Sequence, residues 1–304
     1  MSSIRDVPKG GTDCHAQILD DGSEFSAEEH ERREEAKYFR EKNGEELEIP
    51  GSDGVDMASY RAMRTALGLE RSVLVQAADD GTEHGGIIRA IEDLRRTNDK
   101  TEPQSAVGIG ELEANVGDRE LEDLSEAGLC GAIFRMYEGE EAYEWAVADR
   151  LAWRLHDFGW HVELEINGSD LHQVEQRLGN WPGWIVLPRF GAFTRTRTLN
   201  QRGFKALTRL IDRDKIWVKF SAPYEISLEG KVDDPEVAKL ASALADWAPE
   251  RMIWGSNWPH QNAPRGRPDD RKLLELLSDW VPEDRRRKMI LCENPAELYR
   301  LGKD

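Results

Sequence analysis

The chain has 304 residues, 39% of them hydrophobic, and 59 acidic against 41 basic side chains give it a net charge of −18. That excess excludes broad binding to nucleic acid or to an anionic membrane, both of which reward positive charge. It leaves room for a small anionic substrate, which a few local arginines can hold.

The cysteines, Cys14, Cys130 and Cys292, are odd in number and far apart. They suggest buried reduced thiols rather than a disulfide framework or a CxxC metal site. The first residues carry no apolar signal segment, and no run approaches the about eighteen apolar residues of a membrane span. A soluble, cytoplasmic protein is expected, with its oligomeric state left open.

In chain order, short apolar runs alternate with helical segments. The strands are expected at 13–19 (DCHAQIL), 72–76 (SVLVQ), 105–109 (SAVGI), 131–136 (GAIFRM), 161–166 (HVELEI), 184–188 (WIVLP), 216–221 (IWVKFS) and 252–256 (MIWGS). Runs this short and this rich in Val, Ile and aromatics are typical of buried parallel strands. Amphipathic helices are expected at 58–67, 86–96, 141–158, 171–178, 203–212, 235–247 and 271–280. Repeated β-then-α units over 304 residues predict one domain spanning 1–304, a distorted (β/α)8 TIM barrel. An open doubly wound sheet is the competitor, but no GxGxxG follows the first strand.

Two segments decorate the barrel. Residues 25–47 (FSAEEHERREEAKYFREKNGEEL) read as a charged helical insertion after the first strand, either a solvated helix or a lid over the mouth. Residues 282–304 read as closing helices, with Asn294-Pro295 starting the last one.

Barrel enzymes carry their chemistry at the C-terminal ends of the strands. Read there, the sequence offers His15 and Gln17 on the first strand, Gln76 on the second, and Arg135 and Tyr137 on the fourth. Arg189 ends the sixth, Ser221 and Tyr224 follow the seventh, and Asn257 and His260 end the eighth. The planar guanidinium forks of Arg135 and Arg189 suit a carboxylate. Lys219 with Glu163 or Glu165 reads as a buried ion pair, and His161, opening its strand, as a structural residue.

These pieces carry a resemblance. DCHAQIL, 60–84 (YRAMRTALGLERSVLVQAADDGTEH), GLCGAIFRMY, FGWHVELEING, IVLPRFGAF, IWVKFSAPYEIS, RMIWGSNWPH and ENPAELY occur in the order seen in the amidohydrolase superfamily. The likeness is to its amidohydrolase-related branch of 2-pyrone-4,6-dicarboxylate lactonase and sugar-lactone hydrolases. It implies a barrel that hydrolyses a C–O or C–N bond. The family's first strand shows Asp-x-His-x-His, whose histidines bind a metal or hold a carbonyl; here the second is Gln17. The sixth-strand histidine of the family is Arg189, and the eighth-strand aspartate that takes a proton from water is Asn257. The family's fourth-strand arginines are Cys130 and Ile133, with Arg135 displaced along the strand.

A neutral amide does not accept a proton at neutral pH, so hydrolysis needs a base from elsewhere. The expectation is a metal-independent, cofactor-free, lactonase-like hydrolase of a small carboxylated or lactone substrate. In it His15, Asn257 and His260 are catalytic, while Gln17, Gln76, Arg135, Tyr137, Arg189, Ser221 and Tyr224 bind substrate. A lyase, decarboxylase or isomerase on the same scaffold, or a noncatalytic small-molecule binder, remains the alternative.

Overall fold

The apolar runs become eight short strands: β1 (Thr12–Ala16), β2 (Arg71–Val75), β3 (Ala106–Gly110), β4 (Leu129–Arg135), β5 (His161–Glu165), β6 (Ile185–Leu187), β7 (Ile216–Phe220) and β8 (Met252–Trp254). The structure is a computed structural model that describes residues 7–18, 56–97, 105–137, 142–193 and 199–302. The strands lie in sequence order and every neighbouring pair is parallel. The (β/α)8 barrel closes where β8 meets β1. Ala16 bridges Trp258, the Gln17 amide donates to the Trp258 carbonyl at 2.8 Å, and the Asn257 amide donates to His15 at 2.8 Å. Gly255 permits that approach, because a Cβ there would stand 2.6 Å from the His15 Cβ.

Helices Met57–Leu67, Gly85–Thr97, Trp145–Asp157, Leu171–Asn180, Arg202–Ile211, Pro235–Trp247 and Asp270–Trp280 lie between or after the strands where periodicity places them. Asp118–Ala127 is a further helix that periodicity does not reveal, since only Leu121 and Leu124 are buried in it. At the end of the chain, Asp284–Lys288, a π turn at Met289–Glu293 and Asn294–Leu298 follow one another without a break. Leu298, Tyr299 and Leu301 then join Val73, Val107, Ile133 and Trp217 in plugging the barrel interior. The expected insertion at 25–47 lies outside the described residues. No helix among the described residues is long and apolar enough to cross a membrane.

β5 shows how the interior is layered. Its alternate residues all face inward, as a period of two requires. His161, at the bottom, packs its ring 5.3 Å from that of Tyr299. Burial lowers its pKa to about 4, so the ring is neutral and structural. Glu163 holds the middle of the barrel, and Glu165 reaches the mouth.

Candidate active site

The middle layer is a sealed ion pair with an imidazole against it. Lys219, from the centre of β7, donates to Glu163 Oε2 at 2.7 Å, and both side chains are fully buried. His15 completes the group: its Nδ1 lies 3.2 Å from Lys219 Nζ and 3.4 Å from Glu163 Oε1. The register shift between Asp13 and Ala16 lets Cys14 and His15 both serve the interior, and it ends β1 before Gln17. Burial would raise the Glu163 pKa, but Lys219 and His15 outweigh it and bring the carboxyl to about 2. Burial and Lys219 together lower that of His15, with Glu163 opposing. A neutral His15 accepts from Lys219 at Nδ1 and keeps its proton on Nε2, which meets no protein partner.

Below the mouth, Asp13 ties β1 to β8. It accepts from Ser256 Oγ at 2.7 Å and Ser256 N at 2.9 Å, and from Tyr60 Oη at 3.2 Å. The Gly-Ser of the eighth strand end therefore serves closure.

The upper layer is a ring of charge at the mouth. Arg189 follows β6 and its guanidinium lies between two carboxylates, Nη2 2.9 Å from Glu165 and Nε 2.6 Å from Glu225 as an ion pair, with Nη1 donating to Tyr137 Oη at 2.8 Å. Its backbone amide donates to Ser221 Oγ at 3.2 Å. Arg135 pairs with Glu111, donates to the Gln76 carbonyl at 2.8 Å, and reaches Glu165 at 3.7 Å. The Gln76 side chain is spent on backbone, donating to Glu83 O at 2.7 Å and accepting from Glu111 N at 2.9 Å.

After β8, Asn257 donates from Nδ2 to Tyr224 Oη at 2.8 Å and to Glu225 Oε1 at 3.2 Å. Tyr224 Oη also lies 2.9 Å from His260 Nδ1, and His260 Nε2 lies 2.8 Å from Asp270. Non-glycine residues with left-handed backbone concentrate at these strand ends: Arg189, Phe190 and Ala192, then Ala222, then Asn257 and His260. Such conformations persist where surroundings over-determine them, as at functional sites.

The structure thus gathers Arg135, Tyr137, Arg189, Ser221, Tyr224, Asn257 and His260 in linked contacts, with His15 one layer below. Gln17 is half-buried on the seam, where its backbone amide donates to the Trp258 carbonyl. Missing from the sequence reading are Glu111, Glu225 and Asp270. Glu111 was within reach, as the first residue beyond the all-buried β3, the strand for which no polar end was named. Glu225 gives no such signal, being one acidic residue in a loop of a chain full of them.

A divalent cation does not fit these residues. His15 and Glu163, the two middle-layer groups able to bind one, converge on the ammonium of Lys219. Among the described residues no group of three or more His, Cys, Asp or Glu side chains is arranged to hold a metal.

A parallel eight-stranded barrel with polar side chains gathered at the C-terminal strand ends is an enzyme scaffold. Residues 12–301 match the family described as Amidohydrolase, and the chain belongs to that family. It is 28% identical over 262 residues to D-galactarolactone isomerase of Agrobacterium fabrum, covering 84% of this chain and 86% of the relative. It is 26% identical to 2-pyrone-4,6-dicarboxylate hydrolase of Comamonas testosteroni, covering 96% and 91%. An apo crystal structure from Agrobacterium tumefaciens superposes with a TM-score of 0.77 over 99% of both chains, at 24% identity, a likeness of fold.

Proposed function

We propose that this amidohydrolase-family enzyme opens a lactone on a small carboxylated cyclic substrate without a metal ion. The observation that carries the metal-free reading is Lys219 Nζ, 3.2 Å from His15 Nδ1 and 2.7 Å from Glu163. The middle layer supplies its own cation. The substrate class is supported by the relatives, named for a sugar lactone and for a pyrone dicarboxylate.

In this reading the lactone lies at the mouth, above the His15 layer. The free Nε2–H of His15 is the neutral donor for its carbonyl oxygen as negative charge develops there, while Asn257, whose Nδ2 donates to Tyr224 and Glu225, holds those two groups in place. Gln17 and Gln76 border the site, and Tyr137, Ser221 and Tyr224 orient its charged groups. Arg135 meets the substrate carboxylate, because its contact to Glu165 is the longer of the two arginine contacts to that residue. Arg189 is held by three protein partners and faces substrate as part of a fixed ion cluster. His260, clamped between Tyr224 and Asp270, keeps the tyrosine hydroxyl in place for Asn257. The three free thiols suit a reducing cytoplasm.

A panel of aldarolactones, muconolactones and pyrone carboxylates tests the proposal, by thermal shift and then by turnover, on chelator-treated protein with its metal content measured. Turnover at a metal content far below stoichiometric is the expected result. Turnover that appears only on adding zinc overturns the metal-free reading, and stabilising ligands that never react favour a binder. The isomerase name of one relative favours a second reading, in which the same groups move a lactone bond rather than hydrolyse it. Product analysis in labelled water separates the two, since only hydrolysis retains solvent oxygen in a ring-opened product.

A further inference from the structure

We infer that Glu225 is the proton carrier of this site, taking a proton from the attacking water and returning it to the departing ring oxygen, while Asn257 and Arg189 position it. This rests on the lactone chemistry proposed above.

Placement comes first. The four-residue helix Pro223–Ile226 starts directly after Ala222, whose left-handed backbone (φ 46, ψ 58) turns the chain sharply off β7. The turn buries Tyr224 and sends Glu225 between the ends of β6 and β8. One carboxylate oxygen receives Asn257 Nδ2 at 3.2 Å, and the other lies 2.6 Å from Arg189 Nε. The carboxylate is so held in both position and rotation, yet its side chain stays 14% exposed. Each oxygen keeps a lone pair for water.

The other titratable groups are committed. His260 has both ring nitrogens occupied. His15 is sealed in the middle layer with Nδ1 engaged. Glu165 spans two guanidinium groups. Glu111 belongs to Arg135 at the end of β3, away from the β7–β8 side where Asn257 and His15 meet. Burial raises the hydroxyl of Tyr137 to about 12 and that of Tyr224 further, beyond use near neutrality.

Charge count points the same way. Arg135 and Arg189 face three carboxylates, Glu111, Glu165 and Glu225, so one carboxylate lacks a cation of its own. The groups facing Glu225 are Arg189 after β6, Glu165 on β5, Tyr137 after β4, its neighbour Tyr224, and Asn257 after β8. Burial raises its pKa above the ordinary 4.5, Arg189 pulls the other way, and Glu165 adds to the rise. A base moved toward neutrality from the acid side is better matched to its task.

The step balances. Ionised Glu225 removes one proton from water as the oxygen bonds to the lactone carbonyl, giving a tetrahedral oxyanion. Collapse re-forms the carbonyl and breaks the ring C–O bond, and Glu225 gives its proton to the ring oxygen. The product is the hydroxy acid, which ionises to solvent, and Glu225 is again a carboxylate.

Glu225→Gln in the full-length protein provides two readings. Infrared difference spectra between wild type and variant follow the Glu225 carboxyl without any substrate. The expected titration lies above 4.5, and a titration at or below it overturns the inference. On whichever lactone the wild type opens, kcat should fall about 10²–10⁴-fold with KM within a few-fold and an unchanged melting temperature. The acid limb of the pH profile should vanish with it, and a retained kcat or limb overturns the inference. If the wild type opens no lactone, the function proposed above falls, while the spectra still decide the state of Glu225.

Discussion

The middle and upper layers of the barrel hold similar residues under opposite rules. In the middle, one lysine, one glutamate and one neutral histidine are sealed from solvent with their charges balanced. At the mouth, two arginines face three carboxylates, and Arg135, Glu111, Arg189 and Glu225 are each 14–18% exposed. A buried balanced pair holds a barrel together and has no proton to spare. An unbalanced, partly wet cluster can exchange one. The comparison assigns stability to the buried Lys219–Glu163 pair and proton transfer to the mouth.

The strongest way to break that division is Lys219→Met, which strands Glu163 as a buried unpaired charge. It should cost about 3–5 kcal/mol of stability, and a second change, Glu163→Leu, should recover most of it. Chemical unfolding of both variants checks this; a stable, inactive Lys219→Met would move Lys219 into the chemistry. Next in size, Arg189→Ala should reduce kcat/KM by about 10²–10³, the range for a preorganised charged group at a reacting centre. Unchanged kinetics would remove Arg189 from the site.

His161→Phe sharpens the contrast at the bottom of the barrel. The folded ring stays neutral down to about pH 4, while the unfolded one protonates below about 6.5. Wild-type stability should therefore fall as pH drops between these values, by on the order of 3 kcal/mol. The variant, having no such group, should show a flatter profile across that window and little change at pH 7.

The smallest effect is expected from Asn257→Asp. A second carboxylate beside Glu225 would raise the Glu225 pKa, so activity should begin to fall at a higher pH on acidification, by about one unit. A faster enzyme with an unmoved limb would instead make position 257 the site of the missing base.

Much of the architecture was legible because it depends on local pattern. GAIFRM, WIVLP and MIWGS announce buried strands wherever they stand, and their ends name Arg135, Arg189 and Asn257 directly. The Lys219–Glu163 pair was also readable, because two inward charges in a closed barrel must meet. What escaped depends on closure. Glu225 meets Arg189 across 36 positions of sequence, and Glu111 meets Arg135 across 24. Neither separation carries a local signal, and the arginines read as free clamps until the barrel brings carboxylates to them. The register shift between Asp13 and Ala16 in β1 is likewise a feature that local pattern does not announce.

The division between layers is tested most directly by making the same change in each, Glu163→Gln and Glu225→Gln, and recording melting temperature and the pH dependence of turnover side by side. The account predicts that Glu163→Gln melts lower and keeps the acid limb, whereas Glu225→Gln melts with the wild type and loses the limb. The reverse pattern, a lost limb at Glu163 and lost stability at Glu225, would contradict it.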